Sequence, residues 1–206
     1  SHRMPRIPMT PLLALRNLKQ LEMPADPAMP PSVLAFTPEE ADHDTAPESL
    51  VQVDLSNVVL STAFLLFATQ QEMALKELAV GWPGMNEDTA PVSVVCGVLA
   101  SDVLYFGLHN TAYTRIDLCR GKRFDSVGLQ NNGRLTDLTL LHNLDRLNIS
   151  GCRQLQEMTL LSAQLLDISN TGLTFRVPLC DTWGTRVLLA NHIRLDPTLP
   201  LADVGA

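Results

Sequence analysis

The chain has 206 residues, 46% hydrophobic and 18% charged, a composition that excludes disorder throughout and suits one ordinary domain or one repeat array. With 22 acidic residues against 15 basic ones the formal net charge is -7, and no run of Lys or Arg supplies the concentrated basic surface that nucleic acid requires. The densest basic cluster, Arg120 to Arg123, reads as a solvated loop.

In chain order, residues 1–11 read as an N-terminal tail or remnant, with Thr10 and Pro11 suited to cap and open a short helix in PLLALRN. Residues 24–49 hold six of the 14 prolines (24, 27, 30, 31, 38, 47) and many acidic residues, which predicts an extended loop or insertion. The most apolar run, VVLSTAFLLFA at 58–68, falls short of the roughly 20 apolar residues that span a bilayer, so no membrane partner is expected. Within and after it Phe64, Leu65, Ala68, Glu72 and Leu75 fall at helical spacing, predicting a helix over 62–73. A second helix is expected in 90–101, with Pro91 in its first turn. Later connections are too short for helices and should be irregular loops or single 3-10 turns. Residues 196–206 form a tail that either caps the last turn or serves as a linker.

Between these segments runs a repeat. LDRLNISGCRQL at 144–155 places apolar residues at Leu144, Leu147 and Ile149, then Cys152 and Leu155. AQLLDISNTGL repeats it with Thr171 in the cysteine position, and FDSVGLQNNGRL repeats it with Asn132 there. Weaker copies centre on Phe106, with Thr111 in that position, and on Val187, with His192 there; others centre on Leu78, Val53 and Leu21. Of 24 framed positions in eight copies, Gly184 is the one that is not apolar. Centres at 21, 53, 78, 106, 127, 147, 166 and 187 lie 32, 25, 28, 21, 20, 19 and 21 residues apart, so the later copies keep a period near 20.

This pattern, L-x-x-L-x-L-x-x-N/C-x-x-L, resembles the leucine-rich repeat family, most clearly over 124–173 and more loosely over 12–195. The resemblance implies an α/β solenoid, with a curved parallel sheet on its concave side and helices, then short loops, on its convex side. It also implies a protein-interaction scaffold or adaptor: relatives serve as ubiquitin-ligase substrate adaptors, phosphatase regulators and cytoskeletal or assembly scaffolds. The period-two alternation independently requires stacking, because a lone short strand leaves its hydrogen bonds and leucines unsatisfied.

Four cysteines at 96, 119, 152 and 180 show no metal-ligand spacing and read as the reduced thiols of an intracellular protein, cytoplasmic or cytoskeleton-associated. Cys152 and His192 could make a hydrolase or transferase pair. Both are instead assigned, with Asn132 and Thr171, to a structural slot where small or polar side chains pair the turning backbone. No phosphate loop or metal cluster appears, so neither cofactor nor catalysis is expected. The remaining candidate is the outward face of the strands, where Tyr105, His109, Arg146, Asn148, Asp167 and Arg186, together with Trp82 in GWPG, are the partner-binding residues expected to meet another protein. Docking through the Pro-rich 24–49 segment is the other binding possibility.

Overall fold

A computed structural model of the chain describes residues 6–8, 18–23, 32–35, 50–56, 58–60, 62–70, 72–118, 121–175 and 184–195. Its principal sheet is built from β2 (Gln20–Glu22), β4 (Gln52–Ser56), β6 (Glu77–Gly81), β7 (Asp102–Leu108), β9 (Arg123–Gly128), β10 (Asp137–Asn148), β11 (Glu157–Asp167) and β13 (Val187–Leu189). These lie side by side in chain order and pair in parallel, so the molecule is a parallel β-solenoid.

The register follows the repeat. Leu21 pairs with Val53, Val53 with Leu78, Leu78 with Phe106, Phe106 with Val127, Val127 with Leu147, and Leu147 with Leu166. All of these are buried. A strand's side chains alternate between faces, so burying one row pins the register of the whole strand.

The last copy departs from its expected frame by one residue. Leu166 pairs with Leu188 rather than Val187. Val187 and Leu189 are 48% and 45% exposed, whereas Leu188, Ala190 and Ile193 pack on the core. In VLLA both alternating frames are apolar, and the pairing with Leu166 chooses between them. Gly184, the odd residue in the expected frame, belongs to neither inward row.

The opposite side of the solenoid is where the α/β expectation fails. Among the described residues two helices occupy it, α1 (Thr62–Gln70) and α2 (Val92–Gly97), the latter preceded by Pro91. They meet where Gly97 lies against Thr69, a spot with no room for a larger side chain. Beyond them the connections combine turns with a second row of strands, where loops or 3-10 turns alone were expected. β8 (Arg115–Asp117) pairs with 137–139 of β10, and 137–140 of β10 pair with 157–160 of β11. β12 (Thr174–Phe175) pairs with β14 (Arg194–Leu195). RIDL, DLTLL and EMTLL alternate apolar residues as a strand does, and Ile116, Leu118, Leu138, Leu140 and Leu160 are buried. A copy of about 20 residues can run extended on both sides, and at this length that buries two leucine rows.

β10 and β11 turn the corner between the two sides without a break, at a bulge where Leu141 and His142 of β10 face Leu161 of β11. The additional residue bends the strand. It leaves Leu141 and Leu161 exposed and sets the His142 ring edge-on to Phe124 at 5.0 Å, with Phe106 behind it at 5.8 Å.

The chain's first part also departs from the sequence reading. β1 (Arg6–Pro8), within the expected tail, and β3 (Ser32–Ala35), within the expected Pro-rich loop, form a parallel sheet with β5 (Val58–Val59). The expected helix after Pro11, the rest of 24–49 and the tail 196–206 lie outside the described residues. No helix among the described residues is long and apolar enough to cross a membrane.

Candidate functional site

Where each later strand leaves the sheet, one residue takes a left-handed backbone: Asn110, Asn131, Gly151, Asn170 and His192 have φ of 53°, 60°, 78°, 57° and 55°. Asn and Gly adopt this conformation most easily. The amides of the first four donate to the next copy, to the carbonyls of Gln130, Ser150, Ser169 and Asn191 at 2.8 to 3.1 Å. The ladder therefore continues through the turn.

The following residue points inward and fills the slot: Thr111, Asn132, Cys152 and Thr171 are all buried. Asn132 Nδ2 donates to the Leu108 and Leu129 carbonyls at 2.8 and 2.9 Å, and its Oδ1 accepts from the Thr111 amide and hydroxyl, both at 2.7 Å. Cys152 Sγ donates to the Leu129 carbonyl at 3.0 Å, and Thr171 Oγ1 to Ile168 at 2.9 Å. His192 is not in this column. With the last copy reframed it takes the exposed left-handed position, and Ile193 holds the slot.

Burial pushes the Cys152 thiol up to about 11, so it remains protonated near neutrality. Cys96 is disulfide-bonded. That departs from the expectation of four reduced thiols, because separation in sequence does not decide which cysteines a coiling chain brings together.

The outer face of the principal sheet carries three rows of side chains. Tyr105 and His109, both on the strand β7 path, form its most distinctive feature: Tyr105 Oη and His109 Nε2 share a hydrogen bond at 2.9 Å, and their rings stack with centroids 6.3 Å apart. They lie over a floor of two glycines. A Cβ on Gly107 would come within 2.5 Å of His109 Nε2, and one on Gly128 within 2.6 Å of Tyr105 Oη. Burial lowers the pKa of His109 and raises that of Tyr105; the nearby Asp54 charge opposes the first shift and adds to the second. No hydrogen bond of acceptable geometry reaches the buried Gln130 Oε1 beside them, although it lies near enough to the imidazole to favour the protonated ring.

Two expected binding residues have local work instead. Asn148 Oδ1 accepts from the Ser150 amide and hydroxyl at 3.0 and 2.7 Å, and Asp167 Oδ1 from the Ser169 amide at 2.9 Å. Asp54 does the same for Ser56 at 3.1 Å. Such Asx turns hold the strand exit. The signal was legible: DLS, NIS and DIS recur at 54–56, 148–150 and 167–169, while GLH and GLQ replace them at 107–109 and 128–130. Where the Asx is Gly, the larger exit residue, His109 or Gln130, lies down over it.

Of the other expected binding residues, Trp82 is 6% exposed and belongs to the core. Arg146 is exposed between Ser126 and Leu165. Arg186 is exposed but one position out of its expected row; its amide donates to Gln164 O at 2.8 Å and Val187 pairs with Leu165. Of the basic cluster's described residues, Arg123 pairs with Asp102 at 2.6 Å and Lys122 Nζ donates to the Leu99 carbonyl.

Away from this face a cavity of about 570 Å³ is lined by residues including Glu87, Tyr113, Arg115, Asp117 and Arg134. Arg115 already pairs with Asp137 at 3.2 Å, and Tyr113 Oη donates to the Ala90 carbonyl. Its opposed charges select no single ligand class. Among the described residues no three His, Cys, Asp or Glu side chains converge as metal ligands.

Comparison with family models, with curated proteins and with solved structures finds no match.

Proposed function

We propose that the chain is a non-catalytic interaction module of leucine-rich-repeat type that binds another protein through the outer face of its principal sheet. The observation that carries this reading is the Tyr105–His109 pair laid over Gly107 and Gly128. A rigid aromatic pair loses little entropy on binding. The repeat consensus and the parallel register support the family reading; the strands on the second side of the later copies, where loops were expected, depart from it.

The competing Cys/His hydrolase reading draws no support from Cys152, a buried thiol committed to the Leu129 carbonyl, or from His192, which stands outside its slot. An intracellular setting belongs to the same proposal, and the Cys96 disulfide weighs against a reducing one. The test compares immobilised wild-type chain with a Tyr105→Ala, Arg146→Ala variant, both shown folded by circular dichroism, for retention of co-purifying proteins. The variant should lose partners that a control change on the opposite side, Glu157→Ala, retains. Equal retention by all three would overturn the reading.

A further inference from the structure

The outer face changes character from end to end. On β2, β4 and β6 its two middle rows carry Glu22, Asp54 and Glu77 with Gln20, Gln52 and Ala79, and no base; Lys19 and Lys76 lie in the row where the strands begin. Glu22 is already drawn across the strands, accepting from Gln52 Nε2 at 3.2 Å. The middle is the Tyr105–His109 pair with Ser126 and the glycine floor. On β11 and β13 the same rows carry Leu165 beside Val187, and Asp167 beside Leu189. The one-residue reframing of the last copy creates this apolar end, because it turns Val187 and Leu189 outward at 48% and 45% exposure. The charges nearest to it are Arg146, one strand inward, Arg186 at the start of β13, and Asp167, whose Oδ1 holds the Ser169 amide.

The geometry points to a partner of matching polarity: an extended polypeptide segment lying across the strands, basic at the end over β2, β4 and β6 and apolar at the end over β11 and β13. Seven strand spacings of about 4.8 Å make a track of about 34 Å, the length of about ten extended residues. Lysine or arginine at one end meets three carboxylates in the rows it would cross. Aliphatic side chains at the other cover Val187, Leu189 and Leu165, surface that water otherwise wets. The central backbone passes over the Tyr105–His109 pair. This inference rests on the reading of the outer face as the binding surface.

The experiment is selection of a random twelve-residue peptide library on the immobilised intact chain, followed by affinity measurement of the enriched peptides. Enriched sequences should carry basic residues toward one end and Leu, Ile, Val or Phe toward the other. The Glu22→Gln, Asp54→Asn, Glu77→Gln variant should weaken them about tenfold at low salt and much less at high salt; Asn at 54 still accepts from Ser56. Val187→Ser with Leu189→Ser should weaken them about tenfold at either salt concentration. Peptides that need Tyr105 but show no such polarity overturn this inference and leave the binding face standing. Peptides indifferent to Tyr105→Ala, or no enrichment at all, overturn both. Self-association of the chain that the Val187→Ser, Leu189→Ser variant abolishes would assign the apolar end to a second copy and also overturn the inference.

Discussion

Asn132 and Thr111 are joined twice across neighbouring copies: Asn132 Oδ1 accepts both the Thr111 amide and the Thr111 hydroxyl at 2.7 Å. With Nδ2 bound to the Leu108 and Leu129 carbonyls, this one buried carboxamide satisfies backbone groups of two successive turns. Asn132→Ala strands the Thr111 amide and the Leu108 carbonyl in the core. At about 1 to 3 kcal/mol for each orphaned group, urea unfolding should show a loss of at least about 2 kcal/mol. A loss under about 1 kcal/mol would show that water or neighbours replace the side chain.

Cys152 occupies the same slot one copy on, where its Sγ donates to the Leu129 carbonyl. Cys152→Ala should cost about 1 to 2 kcal/mol, and Cys152→Thr should recover part of it by restoring a donor. The thiol should resist alkylation at pH 8 in the folded chain and react once urea unfolds it, since burial holds its pKa at about 11. Rapid alkylation of the native thiol would contradict its place in the core.

Two glycines separate binding from stability. At Gly128 an added methyl would strike the far ends of Tyr105, Gln130 and His109, which can swing away. Gly128→Ala should therefore weaken partner binding about as much as Tyr105→Ala, with a melting temperature close to that of the wild type. At Gly172 the methyl would lie 2.6 and 2.7 Å from the Arg153 and Leu155 carbonyl oxygens, which are backbone and cannot yield cheaply. Gly172→Ala should lower stability by about 2 kcal/mol or more. The reverse order of effects would refute the glycine-floor account.

His192 tests the reframed last copy. At φ 55° an L side chain is strained, so His192→Gly should be neutral or stabilise by up to about 1 kcal/mol. Were His192 the slot residue, the same change would empty a buried site and destabilise the chain by more than that. Thermal unfolding of the variant decides between them.

Acidification should weaken the fold through two histidines. Burial lowers the pKa of His109 against the pulls of Asp54 and Gln130, and that of His142 against the Leu118 carbonyl and Asp117. The unfolded chain takes up these protons near pH 6.5, before the folded chain does. Their contribution to stability is therefore complete above about pH 6.5, is lost as pH falls, and levels off below the folded pKa values. Melting temperature should drop across that window, and a His109→Gln, His142→Gln variant should show a shallower drop. An unchanged slope would assign the acid sensitivity elsewhere.

Leu21 through Leu166 were legible in the sequence because one row of every strand is buried, and a buried row leaves a period-two record that no exposed face can erase. The helix at Thr62–Gln70 was legible by the same logic at a longer period. RIDL, DLTLL and EMTLL carried the second strand row too, but expecting loops on that side hid it. The Tyr105–His109 pair was visible only as two residues in rows on either side of the Gly107–Gly128 row; their union depends on those glycines lying beneath both.

What the sequence determined alone was therefore the repeat, its frame in seven copies and the outward row of candidates, since these follow from alternation within one strand. Tertiary structure decided what alternation leaves degenerate. In VLLA both frames are apolar, and only the parallel pairing of Leu166 with Leu188 turned Val187 and Leu189 to the surface. Trp82 went to the core and the carboxylates of Asp54 and Asp167 to their own strand exits. A side chain's partners across strands are fixed by which copies stack, and that information lies between turns of the solenoid rather than along the chain.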